Sequence, residues 1–85
     1  MKQVTAVVKA EAGLHARPAS MLVKAAAGFK SSIKVEKAGK IADAKRLLSI
    51  LTLGAKQGEL VTITTDGIDE EAAIKAIKTL IETSC

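Results

Sequence analysis

Residues 3–10 alternate between polar and apolar side chains, which predicts a half-buried strand. Its inward-facing positions are Val4, Ala6, Val8 and Ala10. Ala12-Gly13 interrupts the alternation, and from about residue 15 the apolar positions follow the spacing i, i+3, i+4, i+7. That spacing predicts an amphipathic helix, ending at Gly28, whose apolar positions are Ala19, Leu22, Val23 and Ala26.

Two short strands and a second helix are predicted in the middle of the chain. Ile33 and Val35 alternate with charged residues, and Ala38-Gly39 suits a two-residue turn into a third strand over residues 40–43. Residues 44–53 are rich in apolar side chains and are followed by a glycine, which predicts a short helix. Its large apolar residues are Leu47, Leu48, Ile50, Leu51 and Leu53.

The last part of the chain predicts a strand and a longer helix. Residues 61–64 alternate with period two up to a turn at Asp66-Gly67. Asp69 is positioned to cap the helix, and Glu71 can pair with Lys75 one turn later. The apolar stripe of this helix is Ile74, Ile77 and Ile81.

The predicted order is therefore β-α-β-β-α-β-α. Because helices interrupt the strands, we expect an α+β sandwich with helices on one face of a mainly antiparallel sheet. A length of 85 residues suits a single domain over residues 1–85.

Composition and charge restrict the class of protein. Hydrophobic residues make up 48% of the chain, but the one aromatic residue is Phe29, so the core must be aliphatic. There is no run of 18 apolar residues and no signal-peptide pattern, so we expect a cytoplasmic protein without membrane insertion. A lone Cys85 excludes an internal disulfide. The net charge of +4 suits an acidic protein surface as well as nucleic acid, so it selects no partner by itself.

The segment Gly13-Leu14-His15-Ala16-Arg17-Pro18-Ala19 holds the only histidine and the only proline of the chain, where the first helix begins. Backbone N–H groups in the first turn of a helix have no intrahelical partner, and the macrodipole makes that end positive. Pro18 suits a first turn because its missing N–H is not needed there, although it disfavours helical angles at Arg17. The pattern leaves the helix start open between Ala16 and Pro18.

A histidine at a positive helix end has its charged form disfavoured, so a lowered pKa leaves a ring nitrogen free as a nucleophile at neutral pH. A phosphoryl group on that ring can be bound by the main-chain N–H groups of Ala16 and Arg17 and by the Arg17 guanidinium. Phosphoryl transfer needs mainly such positioning and charge compensation. The simpler alternative is an ordinary surface histidine. One histidine supplies neither a metal site nor a catalytic triad, so we expect no metal and no cofactor.

The same segment, with the element order around it, resembles the active centre of the HPr family, the histidine-containing phosphocarriers of the bacterial sugar phosphotransferase system. The resemblance covers essentially the whole chain and implies an open-faced β-sandwich of four antiparallel strands with three helices on one side. It implies that enzyme I phosphorylates His15 on Nδ1, using phosphoenolpyruvate, and that an enzyme IIA domain then takes the group. His15 and Arg17 would perform the transfer, while Ala16, Arg17 and Pro18 would bind phosphate. Such a chain is a stoichiometric carrier rather than an enzyme, and we expect a monomer.

The helix predicted over 44–53 suggests a second functional surface. At about 100° per residue its large apolar residues spread over roughly 220° of the circumference, more than a helix on a sheet normally buries. Part of it should therefore be exposed and dock a partner, unless the thin domain buries all of it. The resemblance favours docking, because HPr-like proteins bind both partners here and around the histidine. The candidate docking residues are Ser20, Lys24, Arg46, Leu47, Leu48 and Leu51.

Two positions depart from the family pattern. Arg46 stands where many Gram-positive relatives carry a serine that an ATP-dependent kinase phosphorylates, and Ser49 lies nearly one turn away. We therefore expect serine-linked regulation to be absent. Ala12 replaces a Ser or Asn that can hydrogen-bond near the active centre, a difference of about 1 kcal/mol.

Two alternatives of unequal weight remain, the first suggested by these departures and the second by the net charge and the element order. The first is a specialised HPr paralogue in nitrogen-related signalling or a dedicated substrate operon. The second is a small nucleic-acid-binding module, which is disfavoured because such sheets stack bases on aromatic residues and this chain has neither Tyr nor Trp.

Overall fold

Within residues 1–9 and 16–83, which are those that the structure describes, four strands and three helices follow one another in the predicted order. The structure is a computed structural model, and the side chains of residues 16–18 and 83 lie outside its description, as do Ala10, Ala12-Gly13 and Cys85. The elements are β1 (Lys2–Val7), α1 (Ala16–Ala27), β2 (Ser32–Lys37), β3 (Lys40–Asp43), α2 (Leu47–Leu53), β4 (Leu60–Asp66) and α3 (Glu70–Thr83).

The strands form one antiparallel sheet in the order β1-β4-β2-β3. Alternation with period two sends every second side chain towards the helices, so that the registers line up one apolar row across all four strands. That row consists of Val4, Ile63, Val35 and Ala42. The α+β open-faced sandwich predicted from the sequence is confirmed.

The core lies between this face of the sheet and the helices. α3 packs on β1 and β4 and against α1, while α2 packs on β3 and α1. The predicted helical stripes are confirmed, although Val23 and Ile74 are only partly buried. The fully buried helix residues are Ala19, Leu22 and Ala26 of α1, Ile50 of α2, and Ala73, Ile77 and Ile81 of α3.

The turn between β2 and β3 has the predicted two residues, and both adopt positive φ. The angles are 50° at Ala38 and 84° at Gly39, as expected for the turn whose twist matches that of a hairpin. Glycine adopts such angles without cost, whereas an alanine in the left-handed region is strained by about 1–2 kcal/mol. The backbone conformation of Ala38 is therefore unfavourable by itself, and the pairing of β2 with β3 holds it in place.

The second helix begins later than predicted, at Leu47 rather than residue 44. The cause is a local turn centred on Asp43, whose Oδ1 accepts the Lys45 N–H at 2.9 Å and whose carbonyl accepts the Arg46 N–H at 3.0 Å. Arg46 has an extended backbone and is the N-cap residue. The predicted stop at Gly54 is confirmed, because its φ of 67° is left-handed and its N–H donates to the Leu51 carbonyl.

Two further predictions of local structure are wrong. β1 ends at Val7, so Val8 and Lys9 lie outside the strand although Val8 is fully buried as predicted, and the predicted position Ala10 lies outside the described residues. Glu71 makes its ion pair with Lys2 of β1, at 3.3 Å, and not with Lys75. Both differences arise because contacts with distant parts of the chain replace the local pattern.

Candidate functional site

α1 begins at Ala16, directly after His15, so the helix starts at the earlier of the two positions left open by the sequence. His15 itself, and the side chains of Ala16, Arg17 and Pro18, lie outside the described residues. The first turn of α1 carries no acidic residue. No carboxylate of that turn therefore offsets the positive end of the helix, which keeps it suited to an anion.

The chain that leads from β1 towards His15 is held on two sides. Val8 exchanges two backbone hydrogen bonds with the segment before β4, from the Val8 N–H to the Glu59 carbonyl (3.0 Å) and from the Gly58 N–H to the Val8 carbonyl (2.8 Å). On the other side, the Lys9 N–H donates to the Ile81 carbonyl of α3 at 3.2 Å. Residues 8 and 9 are thus fixed between the sheet and α3.

The surface of α2 is partly exposed, as predicted. Leu48 is 76% exposed and Leu47 39%, whereas Ile50 and Leu53 are buried. Leu51 is half-buried and packs on the core, so it presents less surface than its two neighbours. The alternative in which the domain buries every large residue of this helix is therefore wrong.

The candidate docking residues of α1 and the α2 N-cap are exposed as well. Ser20, Lys24 and Arg46 all reach solvent. Sequence reasoning missed Met21, which is 53% exposed between the first two of these positions. The sequence does indicate this exposure, because Met21 falls outside the apolar stripe of α1 and is three residues before Lys24.

α2 has contacts near both of its ends that relate it to α1 and to the chain before His15. Near its start, the Lys45 ammonium donates to the Phe29 carbonyl just beyond the end of α1, at 2.9 Å. After its end at Gly54, the chain passes directly into the segment that pairs with Val8. The exposed face of α2 therefore lies beside α1 and ends close to the chain that leads to His15.

The Ser49 hydroxyl already takes part in a hydrogen bond in the structure. Its hydroxyl accepts the backbone N–H of Asp43 at 2.9 Å, and the side chain is half-buried. A phosphorylated serine would have to give up this bond and expose the oxygen.

The turn between β4 and α3 forms a second polar cluster, next to the end of α1. The Asp69 carboxylate accepts the Ser31 hydroxyl and the backbone N–H groups of Lys30 (2.8 Å) and Ser31 (2.9 Å). These bonds, with the Ser31 hydroxyl foremost, lower the pKa of Asp69 to about 2. Asp69 precedes α3 as predicted, but its carboxylate ties this turn to the α1–β2 connection and thereby fixes two distant segments.

Metal and membrane features are absent from the described part of the chain. Among residues 1–9 and 16–83, no three histidine, cysteine or acidic side chains gather as a metal site would require. No helix within the same residues is long and apolar enough to cross a membrane.

Comparison with known proteins places this geometry in a family. The family model described as "PTS HPr component phosphorylation site" matches residues 2–83. The chain is 42% identical to the phosphocarrier protein HPr of Mycoplasma pneumoniae over 83 residues, which cover 96% of this chain and 94% of that protein.

Solved structures agree. The structure of HPr-C-His from Thermoanaerobacter tengcongensis superposes with a TM-score of 0.91 at 48% identity, covering 95% of this chain and 91% of that one. A structure titled as an HPr dimer from the same organism matches at 48% identity with a TM-score of 0.77, covering 98% of this chain and 95% of that one. These matches favour neither the nucleic-acid-binding module nor the specialised paralogue. The chain belongs to the HPr family of phosphocarriers.

Proposed function

We propose that this chain carries a phosphoryl group on His15 as a stoichiometric intermediate of the phosphotransferase system. The single observation that carries the assignment is the start of α1 directly after the only histidine, with no acidic residue in the first turn. A phosphohistidine at that position faces the N–H groups of a helix end, which stabilise a dianion. We expect the whole chain to act as one domain in the cytoplasm.

The reaction requires little covalent machinery from the protein. Nδ1 of neutral His15 attacks the phosphorus atom of phospho-enzyme I, a new N–P bond forms, and the bond from phosphorus to the donor breaks. The phosphoryl group then leaves His15 in the same way for an enzyme IIA domain. Arg17 supplies a permanent positive charge to the phosphoryl oxygens, and the main-chain N–H groups of Ala16 and Arg17 complete the anion site. Pro18 completes the first turn, in which its lack of an N–H costs nothing.

The primary experiment is phosphorus NMR of the chain mixed with phosphoenolpyruvate and enzyme I. We expect a phosphohistidine signal that disappears when an enzyme IIA domain is added. His15→Ala should abolish the signal while leaving the circular dichroism spectrum unchanged. Phosphorylation of the His15→Ala protein at another residue would refute the assignment.

We propose that enzyme I and enzyme IIA dock on the exposed faces of α1 and α2, called here the docking surface. It consists of Ser20, Met21, Lys24, Arg46, Leu47 and Leu48, with Leu51 at its inner edge. Its apolar residues are accompanied by two cations, Lys24 and Arg46, which suits a partner with an apolar patch and acidic residues beside it.

Leu48→Asp tests the docking surface, and Ile68→Asp is its matched control. Ile68 is 87% exposed but lies in the turn before α3 and on neither α1 nor α2. We expect Leu48→Asp to raise the KM for both partners about tenfold or more, as for a central interface residue. Ile68→Asp should leave both constants unchanged. Equal effects of the two substitutions would exclude α2 as the docking element.

We also propose that serine-linked regulation on α2 is absent. Arg46 cannot accept a phosphoryl group, and the Ser49 hydroxyl is engaged by the Asp43 N–H. Incubation with ATP and an HPr kinase, followed by mass spectrometry, should leave the chain unmodified. A phosphoserine at Ser49 would contradict this.

We propose that the active form is a monomer. One relative has been solved as a dimer, which is the reason for a direct measurement. Light scattering after size-exclusion chromatography under reducing conditions should give the mass of one chain, 8.8 kDa. A dimeric mass with full transfer activity would overturn this part of the proposal.

A further inference from the structure

Residues 54–59, called here the α2–β4 loop, are bound at both ends by a lysine of the sheet. The Lys37 ammonium donates to the Gly54 carbonyl at 3.0 Å and to the Glu59 carboxylate at 3.1 Å, so it binds both ends of the loop. The Glu59 carboxylate also accepts the Lys56 N–H at 2.7 Å. The Lys56 N–H and then the Lys37 ammonium lower the pKa of Glu59, which keeps it charged.

The same loop holds the chain that leads to His15. The backbone of Gly58 and Glu59 exchanges two hydrogen bonds with Val8, and the Gln57 side-chain amide donates to the Lys9 carbonyl at 3.4 Å. Lys9 is six residues before His15 in the sequence. The position of the loop therefore determines where the segment that carries His15 leaves the sheet.

The opposite side of that exit is bound by the last turns of α3. The Lys9 N–H donates to the Ile81 carbonyl at 3.2 Å. Ile81 is itself buried in the core. Val8 and Lys9 therefore lie between α3 and the α2–β4 loop. Of these two neighbours, the loop is the one whose placement depends on polar side chains.

Lys37 also connects this exit to the docking surface. Gly54 is the C-cap of α2, the helix that carries Leu47 and Leu48, and a cation at a helix C-terminus is favourable. The Lys37 side chain is only 20% exposed, unlike that of an ordinary surface ion pair. One ammonium group therefore touches the end of the docking helix and the carboxylate next to the Val8 pairing.

We infer that Lys37 and Glu59 are positioning residues for phosphoryl transfer, which set the placement of His15 relative to the docked partner by holding the α2–β4 loop. Neither residue touches the phosphoryl group, and both act through Val8 and Lys9. The inference rests on the proposed function, because it concerns the efficiency of the same transfer. Small displacements of a reacting group slow such reactions strongly, since positioning provides much of the rate.

Lys37→Met is the principal test, because methionine keeps the length of the side chain and removes its donor. We expect transfer from phospho-enzyme I to slow about tenfold, with a shifted midpoint in the NMR titration of the His15 imidazole. Lys37→Arg keeps a cationic donor and should restore most of both values. The matched control is Lys2→Met, which removes another lysine–glutamate pair, with Glu71, at the far end of the sheet. It should change neither quantity.

The outcomes separate positioning from a purely structural role. An unchanged rate and an unchanged His15 titration in folded Lys37→Met would overturn the inference, as would a failure of Lys37→Arg to restore them. If Lys37→Met does not fold, Glu59→Gln carries the test, and it should change the same two quantities in the same direction by less. The titration needs no partner protein. Absence of phosphorylation in the unsubstituted chain would refute the proposed function, whereas the titration would still decide the positioning role.

Discussion

The starts of α1 and α3 are two helix N-termini with the same partial positive charge and opposite surroundings. α3 begins with Glu70 and Glu71, and Glu70 accepts the Gly67 N–H at 3.1 Å. That N–H, and then the N-terminal ammonium of the chain, lower the pKa of Glu70. α1 carries no acidic residue in its first turn and follows a histidine. The chain supplies its own carboxylates at the start of α3. The start of α1 has none in its first turn and is suited to a phosphoryl group that is bound and released.

The start of α3 is fastened to other parts of the domain. Asp69 binds Lys30 and Ser31, and the buried hydroxyl of Thr65 donates to the Glu70 carbonyl at 2.9 Å. A glycine is required at position 67 because the backbone of Ser31 lies against it. This turn contacts the chain just beyond the C-terminal end of α1, a helix of 12 residues that is about 18 Å long. We therefore expect substitutions at the turn before α3 to affect stability and substitutions at the start of α1 to affect transfer.

The largest effect is expected when an acidic residue is placed in the first turn of α1, as in α3. Ala16→Glu places a carboxylate beside the phosphoryl site, where it repels the incoming dianion and favours the protonated imidazole. We expect transfer from phospho-enzyme I to fall at least about tenfold. Ala16→Gln, of equal size without the charge, is the control, measured by rapid quench. Equal rates in the two variants would show that the charge of this helix end is unimportant.

Gly67→Ala tests the other end. An added Cβ would lie 2.6 Å from both Cα and Oγ of Ser31, so the backbone must shift. We expect the free energy of unfolding in urea to fall by about 1–3 kcal/mol, with an unchanged transfer rate per folded molecule. Gly28→Ala, whose nearest contact would be 3.4 Å away, should be nearly neutral. A transfer defect in Gly67→Ala would mean that the two ends are coupled.

Acid should weaken the turn at Asp69. The folded pKa of about 2 lies below the ordinary value of 3.8, so the folded state prefers the charged carboxylate. The stability this provides is present above pH 3.8 and is lost as the pH falls towards 2.

Urea midpoints of three proteins measure this effect across that interval. Asp69→Asn should be less stable than the unsubstituted chain at neutral pH. Its urea midpoint should also fall less as the pH is lowered. Ser31→Ala removes the main cause of the lowered pKa and should narrow the interval over which stability is lost. Parallel curves for all three proteins would exclude Asp69 as a source of the pH dependence.

The smallest expected effect concerns a position in neither region. Ala38→Asn replaces a strained left-handed alanine by a residue that tolerates this conformation before glycine, and should stabilise the protein by up to about 1 kcal/mol. Ala38→Val should destabilise it, because a branched side chain suits this region less. Thermal unfolding measures both changes. Transfer rates should not respond, which provides a baseline for the other variants.

The predictions from sequence succeeded where the determining contacts are local. The stripe at Leu22 and Ala26 follows from the 3.6-residue period, and the stop at Gly54 follows from the conformational freedom of glycine. The candidate site could be assigned to the start of α1 for the same reason, since His15 precedes the helical pattern directly. The placement of the phosphoryl-binding side chains stays a prediction.

Predictions failed where a contact crosses the chain or competes with the pattern. The start of α2 was misplaced because the Asp43 turn competes with helix formation at Lys45. The partner of Glu71 was wrong because β1 brings Lys2 beside α3. No sequence signal marks the pairing of Lys37 with Glu59, which are 22 residues apart.

The sequence alone determined the elements, the aliphatic core and the histidine at a helix start, because periodicity and capping act over a few residues. Only the tertiary structure decided which side chains of α2 remain exposed, which carboxylates fasten the start of α3 and which lysine holds the exit towards His15. Those outcomes depend on how strands and helices from distant parts of the chain pack together. Sheet order and register, rather than neighbours in sequence, set the distances between their polar groups.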